Sequence, residues 1–120
     1  VPSNNTRAQK ETLTGSFNKR FTFTEASPLM TISVVYSGTV TNTSVSLNEP
    51  TSGRMSGLIT FIETASEYEV RDSGLGSNIK EAVFTAQYEI VGTTHYMELI
   101  LRVAPSSTTN NATLYTNGIF

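Results

Sequence analysis

The chain of 120 residues is long enough for one ordinary domain, carries a formal net charge of -2 and contains no cysteine. Its eight Lys and Arg residues are scattered, so no basic stripe exists to neutralise phosphates and we expect no nucleic-acid partner. The lack of cysteine excludes disulfides and thiolate-ligated metal sites, and no apolar run approaches the roughly 20 residues of a transmembrane helix.

Uncharged hydrogen-bonding residues dominate the polar part of the sequence. Charged residues make up only 15%, whereas Thr, Ser and Asn together supply 42 of the 120 residues. This composition is typical of β-rich extracellular, adhesive or virion proteins. The chain also begins Val1-Pro2-Ser3, which suits an excised domain or a processed mature chain that has lost an export signal. We therefore expect a secreted, periplasmic or surface-exposed protein.

The N-terminal third is predicted to contain an arm and two strands. Residues 1–11 are predicted to form an extended N-terminal arm, and residues 12–120 a single antiparallel β domain. Apolar residues alternate with polar ones from Thr12 to Glu25 and again from Met30 to Ser37. This period of two indicates half-buried strands, and Gly38 indicates a bulge or bend.

The middle of the chain alternates turn signals with short apolar segments. A turn is predicted at Thr41–Ser44 and a loop at Asn48–Gly53, both from their Asn, Ser and Gly content. The stretch Met55–Glu63 is apolar on both faces, which predicts the most central strand. A short strand follows around Tyr68 and Val70.

The segment after Asn78 has two interpretations. Asn78 with Glu81 resembles a capping box, which would begin a short helix at Ile79. The residues from Ala82 to Ile90 nevertheless keep a period of two, since every even-numbered position is apolar and three of the four odd-numbered ones are polar, which favours a strand. A hairpin turn is then predicted at Val91–Thr94.

The C-terminal part continues the all-β pattern. A strand from His95 to Val103 has Met97, Leu99, Leu101 and Val103 on one face, a polar loop spans residues 104–111, and a last strand is predicted for residues 112–120. Sequential hairpins predict antiparallel neighbours. We therefore expect an all-β, mostly up-and-down antiparallel β-barrel of seven or eight strands, with a two-sheet β-sandwich as the alternative.

The inventory of chemically active side chains is small. The chain has one histidine, His95, one aspartate, Asp72, and no Gly-x-Ser-x-Gly nucleophile elbow, so we predict no catalytic residues, no metal site and no cofactor. Glu67 and Glu69 share one strand face, which a solvated surface explains.

His95 is the main candidate for a functional group. It shares strand parity with Met97, so it is predicted to face the interior, either as a structural ring or as a polar group at the mouth of a pocket. Such a pocket would be lined by Phe17, Tyr36, Tyr88 and Met97 and would bind a small apolar ligand. The third interpretation makes His95 the lone general base of a small barrel enzyme.

Three residues of the first strand resemble a known family. Gly15-Ser16-Phe17 resembles the Gly-x-Trp opening of the calycins, the lipocalin-like barrels that carry small hydrophobic ligands. Phe17 replaces the tryptophan, and Arg102, the match for the family's late arginine, lies on the opposite parity from the apolar face. The resemblance implies a calycin-like ligand barrel.

Three functional hypotheses follow. The first is a non-enzymatic binding module, a secreted or surface β-barrel that binds a small apolar ligand or a protein partner. The second is a structural or assembly subunit of a virion, appendage or extracellular matrix, a possible homo-oligomer in which residues 1–11 pair with a neighbour's open sheet edge. The third is the small barrel enzyme that uses His95.

Overall fold

The computed structural model describes residues 5–26, 29–57, 62–74, 76, 78–90, 92–105 and 110–117. Within them the chain forms nine strands and no helix. The strands are β1 (Asn5–Glu11), β2 (Gly15–Ala26), β3 (Leu29–Val40), β4 (Val45–Leu47), β5 (Thr51–Gly57), β6 (Ile62–Asp72), β7 (Lys80–Ile90), β8 (Thr93–Val103) and β9 (Asn110–Asn117).

These strands form two antiparallel sheets. The five-stranded sheet has the order β1-β9-β8-β7-β6, and the four-stranded sheet has the order β2-β3-β4, with β5 also paired to β3. The predicted all-β, antiparallel class is confirmed. Neither sheet closes on itself within the described residues, so the predicted up-and-down barrel is wrong, whereas the two-sheet alternative is compatible with the structure.

The barrel prediction fails because the chain changes sheet twice. After β1 the chain leaves the five-stranded sheet, since β2 pairs with β3 and not with β1. After β5 it returns, since β6 pairs with β7. An up-and-down barrel requires each strand to pair with the next one. The closed barrel implied by the resemblance to calycins is likewise not found.

Residues 5–11, part of the predicted N-terminal arm, form β1 within the five-stranded sheet. β1 pairs antiparallel with β9 of the same chain, from Asn5 opposite Thr116 to Glu11 opposite Asn110. Lys19, which interrupts the alternating apolar residues Phe17, Phe21 and Phe23 of β2, forms an ion pair with Glu11. The predicted division of the chain at residues 11 and 12 remains a prediction.

The core lies between the two sheets. It is built from the inward-facing residues of both sheets, with Ile32, Val34, Phe84, Leu99 and Leu101 all fully buried. Each such side chain contributes roughly 1.5–3 kcal/mol through its burial. The alternation that predicted these strands therefore reflects one face packed in the core and one face directed outward.

Several local predictions can now be compared with the strands. The turn at Thr41–Ser44 is confirmed, because the Thr41 amide donates to the Ser44 carbonyl over 2.9 Å. Gly38 continues β3 without a bulge. A Cβ at this position would collide with the Ser46 carbonyl on β4, so the glycine allows close strand approach.

One local prediction is wrong, and a segment with two interpretations is resolved. β5 pairs only with β3 in the described part of the chain and lies at a sheet edge, so Met55 is not on a central strand; Leu58–Phe61 of that prediction lie outside the described residues. The strand predicted from about Ala82 is confirmed as part of β7, and the alternative helix at Ile79 does not form. Asn78 has a positive φ of 67°. Its side-chain amide, Nδ2, donates to the Thr43 carbonyl over 3.1 Å instead of capping a helix.

Candidate functional site

The structure places all five predicted ligand-binding residues in or against the core. Tyr36, Tyr88 and Met97 are 0% exposed and His95 is 6% exposed. Phe17 is half-buried and packs against the same core. The five side chains therefore belong to one apolar interior. Their role in ligand binding remains a prediction, and the two cavities described below are lined by other residues.

His95 packs as one half of an aromatic pair. It lies directly opposite Tyr88 on β7, and the two rings stack with centroids 5.4 Å apart and planes inclined by 22°. The inward face predicted from parity is confirmed, because Met97 is buried while Tyr96 is exposed. The imidazole thus covers a buried tyrosine ring in the wall of the core.

Tyr36 joins the two sheets. Its hydroxyl on β3 donates to the Leu99 carbonyl on β8 over 2.7 Å. Its ring meets Phe21 edge to face at 5.6 Å. Burial raises the pKa of the Tyr36 hydroxyl far above its ordinary value. The group is therefore a neutral structural donor and does not serve as a base.

A cleft of about 380 Å³ opens where β4 of one sheet approaches β6 and β7 of the other. It is called the inter-sheet cleft below. Its lining combines apolar side chains with charged ones, namely Val45, Ser46, Leu47, Val70, Arg71, Asp72 and Lys80. Lys80 and Asp72 form an ion pair across β6 and β7. The volume lies within the range of pockets that hold small molecules.

A charge cluster occupies one end of the outer face of the five-stranded sheet. Glu81 on β7 lies opposite Arg71 on β6 and Arg102 on β8. Its carboxylate accepts from Arg71 Nε over 3.0 Å and from Arg102 Nε and Nη2 over 2.9 and 2.7 Å. Glu81 is only 4% exposed, because the two guanidinium groups cover it.

The electrostatics of this cluster indicate a structural role. The hydrogen bond to Glu81 raises the pKa of the Arg71 guanidinium and is the largest effect; burial lowers this pKa, and the charges of Glu81, Glu98 and Glu69 raise it further. Both arginines therefore already have carboxylate partners. Arg102, compared above with the late arginine of calycins, is directed outward to Glu81 and away from the core.

A second, smaller cavity lies on the same outer face, towards the β7–β8 hairpin. It measures about 170 Å³ and is called the outer groove below. Its lining is Ala65, Ser66, Glu67, Thr85, Gln87 and Tyr96, from three neighbouring strands. Tyr96 is 37% exposed, and Tyr115 on β9, 40% exposed, lies on the same face.

Sequence reasoning missed both cavities. The inter-sheet cleft lies between β4 and the β6–β7 pair, which belong to different sheets and meet only where the sheets pack, and the outer groove depends on the pairing register of β6, β7 and β8. The available signal was weak: Tyr96 and Tyr115 are exposed aromatic residues at outward positions of β8 and β9.

Comparison with known proteins shows the fold and no more. No family model matches the chain, and no curated protein matches it. The chain is similar to a hypothetical protein, lmo2686, from Listeria monocytogenes EGD-e, known from a crystal structure at 2.75 Å. The match has a TM-score of 0.53 and 10% identity, and covers 98% of this chain and 79% of the other.

Two further searches concern metals and membranes. Across the described ranges, no group of three or more His, Asp or Glu side chains is placed to hold a metal ion. The same part of the chain contains no helix with the length and apolar character needed to cross a bilayer.

Proposed function

We propose that the chain is a non-enzymatic binding module that holds a small amphipathic ligand in the inter-sheet cleft. The observation that carries this proposal is that the core is filled by side chains, whereas a cleft at the surface is open. Tyr36, Tyr88 and Met97 fill the interior where a barrel ligand was expected. The cleft of about 380 Å³ instead opens beside β4.

The lining of the cleft suits an amphipathic small molecule. Val70 and Leu47 come from opposite sheets and are each only partly buried, so both present apolar surface to solvent. A ligand that covers this surface gains roughly 25 cal/mol per Å² of apolar area removed from water. The Lys80 ammonium and Asp72 carboxylate at the same cleft offer polar contacts that orient it.

The proposal is tested by mapping amide chemical shifts in the folded protein. The probes are hexanoate, benzoate and indole, each titrated separately. We expect at least one to shift amides of β4 together with those around Val70 and Lys80, and Leu47→Glu to abolish the response. Ser56→Glu is the control, since Ser56 is exposed on β5 outside the cleft. Shifts that avoid the cleft, or that survive Leu47→Glu unchanged, contradict the proposal.

The second candidate function is that of a structural or assembly subunit, in which copies of the chain associate. β2 favours it, because this strand of 12 residues pairs only with β3 in the described part of the chain and offers a long sheet edge. Light scattering of the purified protein over a hundredfold concentration range tests it. A subunit should form defined oligomers, and a monomer throughout counts against it.

We also propose a secreted, periplasmic or surface-exposed setting, supported by the Thr-, Ser- and Asn-rich composition. Fractionation of the native source with an antibody against the chain tests this. Recovery in the cytoplasmic fraction alone contradicts it.

A further inference from the structure

The outer groove differs from the inter-sheet cleft in the chemistry of its lining. Two of the lining side chains, Thr85 and Gln87, are uncharged hydrogen-bonding groups on the outer face, and Glu67 adds a carboxylate acceptor. One wall is the ring of Tyr96, which is 37% exposed. The groove therefore combines an aromatic face with donors and acceptors at its edges.

A second aromatic ring extends this surface. Across the β8–β9 ladder, Tyr96 lies opposite Asn117 and Glu98 lies opposite Tyr115. Tyr115 is therefore the diagonal neighbour of Tyr96 on the same face, at a backbone separation of about 7–8 Å. Both rings are more than a third exposed. Two such rings on one face suit a ligand with more than one ring of its own.

The charges near the groove restrict the ligand class. The groove lining contains no Lys or Arg among the described residues, and Glu67 lies in it. Glu98 lies opposite Thr85 on the same face. A polyanion such as nucleic acid or a sulfated polymer would meet negative charge there. An entirely apolar ligand would leave the lining polar groups without partners on desolvation.

We propose that the outer groove binds a neutral glycan chain, with Tyr96 and Tyr115 as stacking surfaces. Sugar rings carry C–H groups on their faces, which pack against aromatic rings, and hydroxyls at their edges, which donate to and accept from side chains such as Gln87. The Glu67 carboxylate accepts hydrogen bonds from sugar hydroxyls, which need no positive charge on the ligand. This inference rests on the proposed function as a binding module and adds a ligand class at a second site.

The experiment is affinity electrophoresis of the native chain through gels that contain hydroxyethylcellulose, xylan, mannan or glycogen. Calorimetry follows with the hexasaccharide of whichever polymer retards the protein. We expect retardation by at least one polymer, and a loss of affinity of about tenfold or more in Tyr96→Ala and Tyr115→Ala, as is usual when a central aromatic contact is truncated. Tyr96→Phe keeps the ring and should retain most of the affinity.

The matched control is Tyr68→Ala, which removes a ring of equal exposure, 37%, at the edge where β5 meets β6. Gln87→Ala, on an exposed position, provides a second test at the groove, and a circular-dichroism melt of every variant verifies folding. If none of the four polymers retards the wild-type chain, or if Tyr68→Ala weakens binding as much as Tyr96→Ala, the inference is overturned. Failure here with an intact response at the inter-sheet cleft removes the glycan site alone and leaves the proposed function standing.

Discussion

Tyr36→Phe tests how the two sheets are held together, because it removes one hydroxyl and keeps the ring. The lost hydrogen bond to the Leu99 carbonyl should cost about 0.5–1.5 kcal/mol at neutral pH. Burial raises the pKa of Tyr36 in the folded state above the value of about 10 that the unfolded chain has. The stability due to the neutral hydroxyl is therefore fully present below pH 10 and falls as the pH rises towards the folded-state value.

Because the stability due to Tyr36 falls with pH, the curves of unfolding free energy against pH for the wild type and for Tyr36→Phe should cross. Above pH 10 the wild type loses up to about 1.4 kcal/mol per pH unit through Tyr36, and Tyr36→Phe does not. At neutral pH the unfolding free energy of Tyr36→Phe should be about 1 kcal/mol below that of the wild type. This difference should vanish between about pH 10.5 and 11 and then reverse in sign. The assay is urea unfolding at half-unit steps from pH 7 to 11.5, with Tyr115→Phe on an exposed ring as the control. A deficit that stays constant over this range would refute the argument.

Three further substitutions test other contacts, each by urea unfolding at pH 7. Gly53→Ala would put a Cβ 2.6 Å from Cε1 of the buried Phe84 ring and should cost about 1–3 kcal/mol; an unchanged midpoint would mean that the ring yields freely. Glu81→Gln should cost about 1–3 kcal/mol, because its two arginine partners lose their counter-charge but stay partly solvated; a neutral effect contradicts a structural role. His95→Phe should keep nearly full stability by retaining the stack on Tyr88, whereas His95→Ala should lose about 2–4 kcal/mol; the reverse order contradicts the packing role.

The period-two pattern predicted the facing of side chains well. Along β8 the alternate residues Met97, Leu99 and Leu101 are fully buried. Tyr96, on the opposite face of the strand, is exposed. Successive side chains of a strand point to opposite faces, so the face of each residue follows from its odd or even position alone. The same reasoning gave His95 its inward direction without any knowledge of the sheet.

Pairing between strands was harder to predict, because it depends on turn length. The sequence suggested a four-residue turn at Val91–Thr94, whereas Ile90 pairs directly with Thr93 in the structure. A loop that is shorter by two residues leaves every face unchanged and moves every partner by two positions. His95 consequently lies opposite Tyr88, and Glu81 lies opposite Arg102, neither of which the longer turn would allow.

Sheet membership was the least predictable property. The stretch Met55–Glu63 looked like one strand because its apolar residues are continuous along the chain. In the structure its two ends belong to β5 and β6, which lie in different sheets. Local patterning carries no information about where a chain passes from one layer to the other, and closure of a barrel depends on that passage.

The pairing register set by the short β7–β8 loop also determines which side chains lie side by side on the outer face of the five-stranded sheet. It aligns Gln87 with Tyr96, which places an amide beside an aromatic ring at one end of the face. It aligns Glu81 with Arg102 at the other end, where three charged groups satisfy one another. A cluster that is already satisfied internally gains little from a ligand, whereas polar groups around an exposed ring gain hydrogen bonds and stacking. Ligand binding on this face is therefore expected at the hairpin end, with the charge cluster fixing the strands at the other.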